Sequence, residues 1–78
     1  MYTDAMAKAF HSIRAPRGFG LQIIDEDNFL TVKASEEQFM RLGHDQKIEA
    51  VQYMIKVKGA LEDNGAIVLL VREGGKEQ

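Results

Sequence analysis

The chain has 78 residues, 45% of them apolar and 28% charged, with a formal charge of −2 and no cysteine. That length holds one domain, whose folding buries only about 60% of the surface of the unfolded chain. The acidic balance excludes a globally basic nucleic-acid binder, the missing cysteines exclude disulfides and thiolate metal sites, and no apolar run approaches membrane length.

Thr3 is placed to cap a first helix, in which Met6, Ala9, Phe10 and Ile13 recur as one apolar stripe. Pro16, Gly18 and Gly20 end it and make a loop. Leu21–Asp25 reads as a strand, residues 25–28 (Asp-Glu-Asp-Asn) as a turn, and residues 29–34 as a second strand, giving a hairpin. Ser35 followed by Gln38 forms a capping box for a short helix that Gly43 stops after Leu42. Asp45 is expected to cap a long helix running to about Asn64, with Gly65 ending it. The apolar run at 66–71 suits a strand buried on both faces.

The predicted order is α-β-β-α-α-β: an α+β fold with a three-stranded mixed sheet and helices on one face. A helical crossover makes the last two strands parallel. Residues 1–73 form the expected domain and 74–78 a flexible C-terminal tail. The long helix should turn Ile48, Val51, Met54, Ile55 and Leu61 to the core. Ala50, Tyr53, Val57 and Ala60 widen its apolar sector, which makes Tyr53, Val57 and Ala60 candidates for a protein interface, including that of a homodimer.

Few residues suggest chemistry. The turn at 25–28 has Phe29 and Leu30 where a calcium loop needs an oxygen ligand and a glycine. His11 and His44 have no metal-ligand spacing, neither Ser12 nor Ser35 lies in a nucleophile elbow, and no phosphate-binding loop is present. Arg17-Gly18-Phe19-Gly20 opens like an RNA-recognition element, but the following strand lacks the stacking aromatics. The sequence therefore predicts a cytoplasmic protein that is not an enzyme, with no cofactor, no metal and no membrane partner.

One resemblance joins the order to a motif. Residues 34–48, ASEEQFMRLGHDQKI, resemble the centre of a type II KH domain, with Leu42-Gly43-His44-Asp45-Gln46 where that family has its I-G-x-x-G loop. Residues 50–54, AVQYM, are similar to a stretch of Jag-type KH domains, and the length is similar to that of the small single-KH proteins of the KhpA type. The family's loop brings backbone N–H groups against phosphates. Here Gly43 supplies the first glycine, Gln46 stands in place of the second, and Asp45 opposes phosphate. The resemblance implies weak binding of RNA or another single-stranded nucleic acid. Arg41, Gly43, His44, Gln46 and Lys47 would make the site, with bases in the groove between the long helix and the strand at 29–34. The net charge, the acidic turn and the over-wide helix face fit an alternative: a small acidic protein-interaction module or inhibitor, for example a phage-encoded protein that binds a host protein complex.

Overall fold

The computed structural model describes residues 1–74; residues 75–78, the rest of the expected tail, lie outside them. Thr3 accepts a hydrogen bond from the Met6 N–H at 3.1 Å and starts α1 (Asp4–His11). At the loop that follows, Gly18 takes a positive φ of 81°, which a side chain would strain. This turn drives Phe19 into the core, where it is 4% exposed. Its ring meets Phe39 and Tyr53 edge-on, at centroid distances of 6.2 and 6.3 Å. The RNA-recognition-like tetrapeptide is thus a core anchor.

Strand β1 (Leu21–Asp25) pairs antiparallel with β2 (Leu30–Ser35), and β2 pairs in parallel with β3 (Val68–Glu73). The order across the sheet is β1-β2-β3. Ser35 ends β2 and caps α2 (Glu36–Met40), accepting from the Gln38 N–H at 3.2 Å. The Gln38 side chain does not return that bond; its oxygen accepts from the Gly20 N–H at 3.1 Å and fastens the loop before β1.

The helix α3 (His44–Asp63) begins one residue after Gly43, so Gly43 is its N-cap and Asp45 lies inside the first turn. A carboxylate there still suits the positive end of the helix. Its other end is closed by Gly65 at φ 96°. The Ala66 N–H bonds to the Leu61 carbonyl and the Gly65 N–H to the Glu62 carbonyl, the double closure that favours glycine at this position.

The core lies between the inner face of β2 (Leu30, Val32, Ala34) and a stripe of α3 formed by Ala50, Tyr53, Val57 and Leu61. Full burial of side chains such as Leu30, Val32, Val57 and Leu61 stabilises the fold by roughly 1.5–3 kcal/mol each. Two expectations are corrected here. Ile48, Val51 and Ile55 are not core residues; they are 49%, 43% and 63% exposed, because α1 and the sheet engage the other side of α3. The last strand is not buried on both faces. The helices cover one face of the sheet and leave Leu69 52% exposed on the other, while Leu70, on the covered face but on an edge strand, is 39% exposed.

Candidate binding groove

A groove of about 440 Å³ opens between α2, α3 and β3. Phe39 and Met40 of α2 form one wall, Met54 of α3 another, Leu70 and Arg72 of β3 a third, and Phe19 lies at its base. Each position follows from a local cause. The Ser35 cap turns the chain from β2 into α2, which is too short to reach across the sheet, so Met40 stays 60% exposed above β3. Alternation along β3 points Val68, Leu70 and Arg72 to the helix side, in register with Leu30, Val32 and Ala34. At about 100° per residue, Met54 lies between the core stripe of α3 and its exposed residues Val51, Ile55 and Ile48. The apolar lining of the groove therefore continues onto the open side of the helix.

The rim charges are largely neutralised. The Arg72 Nε lies 3.3 Å from a Glu36 carboxylate oxygen, and the Arg41 guanidinium donates to Glu37 at 3.1 Å. The second pair is exposed on both sides and is worth only about 0.3–0.5 kcal/mol, and it sets a carboxylate beside the Arg41 charge. The Lys47 ammonium sits 5.9 Å from the centre of the Phe39 ring, an attraction of roughly 0.5–1 kcal/mol at such a site.

The residues expected to bind nucleic acid do share one corner. Arg41, Gly43, His44 and Gln46 are exposed and Lys47 is half-buried. The corner is already hydrogen-bonded, since the Gln46 side-chain oxygen accepts from the Gly43 N–H at 3.2 Å. Gly43 has an ordinary φ of −72°, and an added Cβ would meet Gln46 at an unstrained 3.7 Å. Neither conformation nor crowding demands glycine there.

The expected interface residues fare differently. Tyr53 and Val57 are corrected: both are buried within the chain, at 6% and 0% exposure, and cannot meet a partner; Ala60 is half-buried. Burial also pushes the Tyr53 phenol above its ordinary pKa. The groove lies against β3 and the end of β2 rather than along the strand at 29–34. Its walls at Phe39, Met40, Met54, Leu70 and Arg72 were not singled out from the sequence. The available signal was the second apolar stripe on α3, which periodicity assigned to the core. Among the described residues no cluster of three or more potential metal-ligating side chains occurs, and no helix is long and apolar enough to cross a membrane. Compared with known proteins, the chain matches no family model, no curated protein and no solved structure.

Proposed function

We propose that this chain is a non-catalytic protein-interaction module that holds a partner segment in the α2–α3–β3 groove. The observation that carries this reading is the union of an open apolar groove with the exposed Ile48–Val51–Ile55 stripe, beside arginines that carboxylates already occupy. Contiguous apolar surface on a small protein marks an interaction site, and the core of a protein interface is apolar and depleted of charge. The net charge of −2 favours a partner segment that is apolar with basic flanks.

The test is selection of short random peptides displayed on phage against the immobilised chain, followed by titration of selected peptides into the isotope-labelled protein. Amide shifts should gather on Phe39, Met40, Met54 and Leu70, and Met54→Asp should abolish them. Peptides that shift only residues away from the groove overturn the reading.

Weak binding of single-stranded RNA is the second reading. It is supported by the exposed Gly43–His44 corner beside Lys47, together with the α-β-β-α-α-β order that the type II KH resemblance implies. Phosphate contacts dominate such affinity, and the Gln46–Gly43 bond and the Arg41–Glu37 pair both compete with them. Random single-stranded RNA titrated at low salt should then shift Arg41–Lys47, with Lys47→Glu removing the effect. No shift there removes this reading.

A further inference from the structure

We propose that two copies of this chain associate through the free edge of β3, in antiparallel register about a two-fold axis at Leu70, forming one six-stranded sheet. The inference stands apart from what the groove binds.

Its basis is the direction of the backbone groups. The Leu30 N–H donates to the Ile67 carbonyl at 2.8 Å. In a parallel pair, alternate residues then turn their N–H and C=O toward the neighbouring strand. Ile67, Leu69, Val71 and Glu73 therefore face β2, and Val68, Leu70 and Arg72 turn theirs to the open edge. Among the described residues, those three have no backbone hydrogen-bond partner on that side.

Leu70 is the middle of the three, so the edge is self-complementary. A two-fold axis normal to the sheet at Leu70 sets Leu70 against the partner's Leu70, and each Val68 against the opposite Arg72. Every outward N–H and C=O of the three residues then finds a partner, and both sets of helices stay on one face. On the bare face of the sheet, Leu69 lies opposite Val71. Apolar cross-strand pairs of this kind stabilise a sheet.

Neighbouring registers are worse. Centring on Val68 leaves Arg72 unpaired, and centring on Arg72 places two guanidinium groups opposite each other, where like charges repel. Nothing at the centre of the strand resists pairing. Residues 68–71 are Val-Leu-Leu-Val, without the charge, proline or bulge that usually protects an edge. The pairing would also bring the two grooves side by side, with the α3 stripes of both copies facing the axis.

The experiment uses the whole chain. Sedimentation velocity across a concentration series should show the 8.8 kDa species giving way to one of twice that mass. Leu70→Lys should weaken the association at least tenfold, and Gln22→Lys on the opposite edge should leave it unchanged. Because the chain has no cysteine of its own, Leu70→Cys reports the register directly. Two residues facing each other as a hydrogen-bonded pair have Cα atoms about 5.5 Å apart, within disulfide range. Mild oxidation should link Leu70→Cys into a covalent dimer much faster than Leu69→Cys, and this readout stands even if Leu70→Lys fails to fold. A chain that stays monomeric up to roughly 1 mM, where even a binding free energy of about −4 kcal/mol would register, overturns the proposal. So does linkage at position 69 as fast as at 70.

Discussion

At one edge of the sheet, β1 ends on Asp25, whose carboxylate gathers the Met1 amino group, the Tyr2 N–H and the Asp27 N–H at 2.5, 3.0 and 3.2 Å. At the other edge, β3 carries Leu69 and Leu70 in solvent, and its polar residues, Arg72 and Glu73, come only at the end. The β1 edge also holds Gln22, and its Leu21, Ile23 and Ile24 are half-covered. The N-terminal segment fastens the first edge at its Asp25 end, and the second edge leaves apolar side chains in solvent. In a domain with so little interior, the unfinished edge and the groove beside it are where apolar surface remains for a partner.

Proline separates the two sides of β3 most sharply. Leu69→Pro removes an N–H directed at β2 and should cost roughly 1–3 kcal/mol, because a ladder bond is lost and its acceptor is left without a donor. Leu70→Pro removes an N–H directed outward and should cost much less, while leaving the chain unable to pair with a second copy. Urea denaturation of both variants checks the contrast; equal losses would show that the outward assignment of Leu70 is wrong.

Next in size is Ser35→Ala, which removes the cap linking β2 to α2 and should cost about 1 kcal/mol in the same assay. It should also loosen the Phe39–Met40 wall beside β3 and, through Gln38, the Gly20 loop, while leaving the amide shifts at the Asp25 end of β1 in place.

At the β1 edge the effect depends on pH. The Asp25 carboxyl is held below its ordinary pKa, first by the hydrogen bond from the Met1 amino group, then by the Asp27 and Tyr2 N–H groups against some desolvation. A depressed folded pKa gives stability that is present above the unfolded value, near 3.9, and is lost as pH falls through the folded pKa. Acid titration should therefore show Asp25→Ala losing less stability than the parent below about pH 4, with no comparable change from substitutions on β3. Smallest of all, Arg72→Ala breaks an exposed pair with Glu36 and should change stability by less than about 1 kcal/mol, measured by thermal unfolding.

Much of the fold was legible because its punctuation is local. Thr3, Ser35 and Gly65 each mark an element boundary through a hydrogen bond or a backbone angle that a short segment decides. The alternation of Leu21 and Ile23, and of Leu30, Val32 and Ala34, fixed the hairpin for the same reason. The inward face of α3 was not legible. That helix is apolar on two sides, and aliphatic character favoured Ile48, Val51 and Ile55 over the small Ala50 and the hydroxyl-bearing Tyr53. The choice fell to tertiary position: Ala50, at 0% exposure, occupies a crowded place in the core, and Tyr53 meets Phe19 there. An apolar run such as 66–71 likewise reads the same whether a strand has one neighbour or two. The motif drew attention to the Gly43 corner, which lies outside the groove. The groove was missed because its walls come from three separated elements.

The meeting of Phe19, Phe39 and Tyr53 has a practical consequence. The chain contains no tryptophan and two tyrosines, so its ultraviolet signals rest on few rings. Tyr53 is buried against Phe19, whose other side meets the Phe39 that walls the groove. Near-ultraviolet dichroism, to which Tyr53 contributes beside Tyr2, should therefore change when a ligand displaces Phe39, and a Tyr2→Phe variant assigns the change to Tyr53 without a label.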